Sequence, residues 1–211
     1  MDLSLEALKN AVSVYESVLQ ADILSNPLEE NTFDYVVCKD VFGHIPYGDK
    51  DKFCAEVFRI LKPGGRVILA IELDPNNWVI REAKKHPILY EKHFIQKDGH
   101  VGLEDTAATC RRFVVAGFEI RKRKALYKTG ITRAEQYLAS FDNEYQYRSP
   151  LLRSIVRVAK IIDGKTLLRG PYAFLAGLMD GFLGEWLPDD HAQLLLLCCE
   201  KPKGQEPLPA K

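Results

Sequence analysis

An α/β chain with a mainly parallel sheet, helices on both of its faces and a helical insertion before the last strand is the fold this sequence predicts. Three observations predict it. Strand-like and helix-like periodicities alternate over the first 126 residues; "RVILAIEL" at residues 66–73 is a nearly continuous apolar run, as suits a strand covered on both faces; and apolar-faced helices lie between the last two strand patterns.

The elements follow in order. Residues 4–15 carry Leu5, Leu8, Val12 and Tyr15 at helical spacing, with Ser4 as N-cap. "SVLQAD" reads as a short strand ending at Asp22, and "NPLEENT" as a polar loop. "FDYVVCKD" is a second strand, rich in β-branched and aromatic residues. Residues 49–61 form a helix with Phe53, Val57, Ile60 and Leu61 on one face. Pro63 cannot continue it, and Gly64-Gly65 can supply positive φ for a chain reversal into "RVILAIEL". A polar and aromatic segment fills residues 74–103. "EDTAATCRRFVVAGFEIRKRKAL" reads as helix, glycine stop at Gly117 and strand, and "HAQLLLLCCEKP" as the last strand. The expected units are a core at residues 1–126, a helical cap at 127–190 broken at Gly164 and Gly170-Pro171, the last core strand at 191–203 and a disordered tail at 204–211.

Composition narrows the function classes. Lys+Arg and Asp+Glu both number 29, so no broad basic face exists for nucleic acid. The run "RKRK" at 121–124 reads as a charged edge strand that resists aggregation. None of the five cysteines forms a CxxC pair, which fits a reduced, cytoplasmic chain without a disulfide framework or zinc site. The amphipathic start is no signal peptide, and no apolar run is long enough to span a bilayer.

The string "FDYVVCKDVFGHIP…FCAEVFRILKPGGRVILAIE" resembles the second half of a class I S-adenosylmethionine-dependent methyltransferase of the type 11, small-molecule kind. The resemblance covers roughly residues 1–126 and 191–202. It implies a Rossmann-like sheet and S-adenosylmethionine as cofactor. It also implies that "MDLSLEAL" is the end of the family's second strand, so that the family's first strand and its glycine-rich cofactor loop are missing. On that reading the chain is a truncated form of a longer enzyme. The alternatives are a degenerate methyltransferase-like module that completes its sheet by dimerisation or with a partner strand, and a nicotinamide-dependent dehydrogenase, whose own glycine motif is equally absent.

By the same resemblance Asp2 accepts from the cofactor's ribose hydroxyls, Leu3 packs on the adenine, Asp22 meets its amino group and Ile23 covers its other side. Cys38 and Lys39 lie at the carboxyl end of a strand, where α/β sheets bind ligands. His44 occupies a position that faces cofactor or substrate and is the candidate catalytic residue, since an imidazole takes up a proton near pH 7; a helix-entry histidine with a satisfied hydrogen bond is the alternative. Tyr47 and Trp78, with Glu72 and Asn77, sit at the same edge as candidates to shape a substrate pocket. His86, His93 and His100 recur seven residues apart, but nothing completes a metal-ligand pattern, so they read as structural or surface residues. The expected activity is methyl transfer to a small, hydrophobic molecule, with the segment "PYAFLAGLMDGFLGEWL" as a cap over its pocket.

Overall fold

The computed structural model describes residues 1–132 and 150–204. The predicted tail from residue 205 and the cap residues 133–149 lie outside the described residues.

Four strands form one sheet. β1 (Phe33–Lys39) lies parallel to β2 (Leu61–Glu72); β4 (Leu194–Glu200) runs antiparallel to β2, and β3 (Glu119–Leu126) antiparallel to β4, giving the order β1-β2-β4-β3. Only one of the three pairings is parallel, so the expectation of a mainly parallel sheet is corrected to a mixed one. The helical crossover through α2 (Lys50–Ile60) imposes the parallel pair, and the return through the insertion brings β4 in antiparallel.

The core lies on one side of the sheet. Val67, Leu69 and Ile71 of β2 and Leu195, Leu197 and Cys199 of β4 point to it. They meet Phe53, Cys54 and Val57 of α2 and Cys110 and Phe113 of α5 (Thr106–Val115). The opposite face is open among the described residues: Val37 pairs with Ile68 and Ile68 with Cys198 across it, and Tyr35, Val37, Ile68 and Leu196 are exposed. Helices on both faces were expected from the apolar run of β2. That run alternates buried residues with exposed Arg66 and Ile68 and half-buried Ala70 and Glu72, as a one-sided sheet requires.

At the amino end, Ser4 caps α1 (Leu5–Ala11) by accepting from the Ala7 N–H at 3.2 Å, as predicted. "SVLQAD" is not a strand. Asp2 and Gln20 form an isolated parallel bridge, and the chain then turns because the Asp22 carboxylate accepts from the Leu24 N–H at 2.9 Å. The Pro63-Gly64-Gly65 stretch is an irregularity inside β2, where the register jumps from Phe33↔Leu61 to Tyr35↔Arg66. Gly64 takes φ +83°, and a Cβ on Gly65 would sit 2.8 Å from the Lys62 carbonyl.

Past β2, Asn77 caps α3 (Trp78–Lys84), and α4 (Pro87–Tyr90) runs on into a π-helical turn at Glu91–Gln96. Gly102 packs so closely on the loop between β1 and α2 that a Cβ would lie 2.2 Å from the Ile45 carbonyl oxygen. Gly102→Ala is therefore expected to lower stability by about 2 kcal/mol, read as a lower urea midpoint at unchanged slope; an unchanged midpoint would refute the tight fit.

The cap contributes α6 (Pro150–Asp163) and α7 (Thr166–Leu183), separated at Gly164 as expected. Gly170-Pro171 does not break α7: the carbonyl deprived of a partner by Pro171 belongs to Leu167, which is 90% exposed, so water can satisfy it. None of the described helices is long and apolar enough to cross a membrane.

Candidate functional site

The carboxyl end of β2 and the entry to β4 frame a pocket with about 480 Å³ of empty space, part of it continuous with solvent. Leu73, Ile80, Leu103 and Leu194 give it apolar walls. Tyr90 and Phe94 stand in one wall with ring centroids 5.3 Å apart, stacked at 26°. Tyr90 is oriented by donating its hydroxyl to Asp74 at 2.8 Å, and Lys84 neutralises the same carboxylate at 2.7 Å.

Glu72 and His100 supply the charge. The His100 Nε2 lies 2.5 Å from a Glu72 carboxylate oxygen, and its Nδ1 faces the Phe94 carbonyl at 3.5 Å. Both ring nitrogens thus meet acceptors, an arrangement the imidazolium form satisfies. The hydrogen bond from Glu72 raises the His100 pKa, and burial opposes it. Of the two expected readings of His100, surface fails because the ring is buried, and a structural role stands in its pairing with Glu72. Its partner is 28 residues away in the chain, so no local spacing reveals the pair.

His44, the sequence-predicted catalytic residue, stacks on His100 with centroids 4.9 Å apart. Its Nδ1 is 3.0 Å from the Gly99 carbonyl, which accepts; Nδ1 therefore carries the hydrogen and the exposed Nε2 is left as an acceptor. The other predicted pocket residues serve as anchors. Tyr47 donates its hydroxyl to the Leu103 carbonyl, and burial raises its pKa, with Asp74 and Glu104 adding to the effect. Trp78 donates its indole N–H to the Thr129 carbonyl at 2.8 Å, which ties α3 to the segment after β3. Neither borders the pocket.

The segment after β3 is held from the cap side by Asp180 of α7. Its buried carboxylate accepts from the backbone N–H groups of Tyr127 and Thr129, at 2.7 and 2.8 Å, and from the Thr129 hydroxyl at 2.8 Å. This fixes Tyr127 at φ +60° in the pocket wall. The apolar side chains of α7 do not line the pocket; Phe174, Leu178 and Phe182 are exposed.

The residues expected at the cofactor lie elsewhere, along the outer side of β1. Asp2 pairs with Gln20 and accepts from the Ser4 N–H at 2.7 Å; Leu3 is 65% exposed; Asp22 turns the chain; Ile23 and Cys38 pack against the core. Burial pushes the Cys38 thiol up to about 11, and the positive amino terminus acts in the opposite sense. Lys39 pairs with Asp40 at 3.6 Å in the open.

Known proteins resemble part of the chain in sequence and most of it in fold. Residues 1–69 match the family described as a methyltransferase domain. The chain is 33% identical over 88 residues to the ubiquinone/menaquinone biosynthesis C-methyltransferase UbiE of Pasteurella multocida, covering 42% of this chain and 31% of that protein. It is 40% identical over 50 residues to phosphoethanolamine N-methyltransferase 2 of Caenorhabditis elegans, covering 24% of this chain and 11% of that one. The chain thus spans less than a third of the length of these relatives. Among solved structures, a methyltransferase of Bacillus halodurans superposes with a TM-score of 0.52 at 17% identity, over 96% of this chain and 81% of that one. A Haloferax volcanii methyltransferase complexed with the activator Trm112 gives 0.51 at 16% identity, over 94% and 69%. At such identities the structures speak for the fold alone, and it is the Rossmann-like one. Residues 1–69 are thus similar to a methyltransferase domain, and the chain shares the Rossmann-like fold of these methyltransferase structures.

Proposed function

We propose that this chain is the cofactor- and substrate-bearing part of a cytoplasmic enzyme that transfers a methyl group to a small, largely apolar molecule. The observation that carries the reading is the chain of contacts from His44 through His100 to Glu72 at the carboxyl edge of the sheet, beside an aromatic pocket.

The donor set suits the nucleoside half of S-adenosylmethionine. Asp2 and Asp22 each engage one carboxylate oxygen locally, with the Ser4 and Leu24 N–H groups, and offer carboxylate chemistry to hydroxyl and amino groups; Leu3 and Ile23 offer apolar surface to a base. Cys38 and Lys39 flank that position at the end of β1. Among the described residues no glycine-rich loop stands ready for the methionine half, so we assign activity to a longer form of the chain. Bound there, the cofactor supplies an electrophilic sulfonium methyl group. The residues of this chain hold the acceptor molecule against the aromatic wall and keep water from its buried end; His44, outside the pocket lining but stacked on His100, is the group we assign to take its proton. Orientation contributes most of the rate in such a reaction, which asks for no strong acid–base pair. The five free thiols suit a reducing compartment.

Calorimetric titration tests the placement of the cofactor. In the longer form, Asp2→Asn is expected to weaken S-adenosylmethionine at least about tenfold, the scale of one charge-assisted pair of hydrogen bonds. Unchanged affinity in that variant would remove Asp2 from the site. Micromolar binding by these 211 residues alone would overturn the assignment to a longer form.

The exposed outer residues of β1, Tyr35 and Val37, favour one second reading. In it the chain is a non-catalytic module whose open edge pairs with a partner strand or a second copy. Concentration-dependent dimerisation without any cofactor binding is the outcome that would replace the first reading with this one.

A further inference from the structure

Gln193 borders the pocket and is only 7% exposed, yet among the described residues neither its side-chain N–H₂ nor its side-chain oxygen has a hydrogen-bond partner. Its backbone is fixed on both sides: its N–H donates to Leu126 at 3.1 Å, and its carbonyl accepts from Leu73 at 3.0 Å. Buried polar groups are almost always paired, and each unpaired one costs roughly 1–3 kcal/mol. The outer torsion of a glutamine is soft, so this amide can turn toward a bound molecule without any backbone movement.

The surroundings define what that molecule offers. A primary amide presents a donor and an acceptor side by side, and its complement is another amide, which pairs through two parallel hydrogen bonds. Among the described residues Glu72 faces His100, and no lysine or arginine lines the pocket to hold an anion. Asp98 is exposed and repels anions further. The stacked pair of Tyr90 and Phe94 suits a flat ring.

We propose that the pocket takes a small, uncharged aromatic carboxamide or lactam, with Gln193 as the residue that selects it. This rests on the pocket being the acceptor site of the proposed methyl transfer, and it names the class of that acceptor. The ring lies against the aromatic wall, and its amide closes a two-bond pair with the Gln193 amide.

Four matched probes test it: benzamide, benzoate, benzylamine and toluene, titrated calorimetrically into the wild-type chain, Gln193→Leu and Gln193→Met. Wild type is expected to bind benzamide about tenfold more tightly than toluene, with both charged probes weaker than benzamide; each variant loses about tenfold for benzamide and keeps its toluene affinity. Equal benzamide affinity in wild type and variants, a charged probe ranking first, or no binding by any probe overturns the proposal. Should neither variant fold, the wild-type ranking decides, and toluene equal to benzamide defeats it. None of these titrations needs the cofactor. Benzamide selectivity in this chain, beside a longer form that neither binds S-adenosylmethionine nor transfers its methyl group, therefore defeats the methyl-transfer reading alone; methyl transfer by the longer form without benzamide selectivity here defeats the amide alone.

Discussion

Lys201→Met lowers the unfolding free energy of the chain by about 3 kcal/mol, a large share of a typical total of roughly 5–15. Lys201 is 4% exposed, and its three ammonium hydrogens have three acceptors: the Asn31 side chain at 2.8 Å, the Phe58 carbonyl at 2.9 Å and the Leu61 carbonyl at 2.8 Å. The last two sit where α2 passes into β2, so the side chain closes the carbonyl end of that helix. Its backbone joins in, since Lys201 N–H donates to Gly65 and Gly64 N–H to Lys201, at 2.9 and 2.7 Å. Methionine fills the stem's volume but leaves the two buried carbonyls of Phe58 and Leu61 without the ammonium. Lys201→Arg keeps the charge in a planar fork that cannot follow the same three directions and should lose about half as much. Urea unfolding followed by circular dichroism reads both changes; a loss under about 1 kcal/mol for the methionine variant would show that water replaces the ammonium without cost.

Lys201 also marks what a sequence can disclose about this fold. The strands around the core were legible because they obey a local rule: β1, β2 and β4 are dense in β-branched or aliphatic residues, and Gly117 stops α5 at φ +98°. The failures share a non-local cause. Nothing within "SVLQAD" says that only Asp2 is available to pair with it, and nothing within "RVILAIEL" says that just one sheet face is covered. Pro171 looked like a break because the exposure of Leu167 is a tertiary property.

The candidate site divides the same way. His44 was found because it sits in a contiguous motif. Glu72 was noted only as an edge residue and His100 only as part of a spacing; their meeting depends on the turn through Gly99 and Gly102, which packs residues 99–103 back onto the loop before α2. Gln193 carries no sequence signal at all, because an unpartnered amide is defined by what surrounds it. Tyr47 and Trp78 were expected to shape the pocket; they do not border it, and their polar atoms are engaged by backbone carbonyls.

The pairing of Glu72 with His100 makes the site's integrity depend on pH, in a direction fixed by the pKa shift. Glu72 raises the His100 pKa above its ordinary value of 6.5. A group whose folded pKa is raised gives its full stabilisation below the unfolded value and loses it as pH rises through the folded one. Glu72→Gln should therefore be most damaging near pH 6, by about 2 kcal/mol for a mostly buried charged hydrogen bond, and nearly harmless once His100 is neutral in both proteins. The glutamine keeps the shape and a hydrogen-bonding oxygen, so the pH-dependent part of the loss reports the charge and not the packing. His100→Phe removes the titration itself and should flatten the pH profile of stability in the same window. Urea midpoints of the three proteins between pH 5.5 and 9, intervals set by the ordinary and raised values of the imidazole, give the test. A Glu72→Gln deficit that stays constant across that range would show that His100 is not the imidazolium partner of Glu72. A deficit that fades as pH rises would establish the ion pair behind His44, and with it a site whose charge is balanced from within before any ligand arrives.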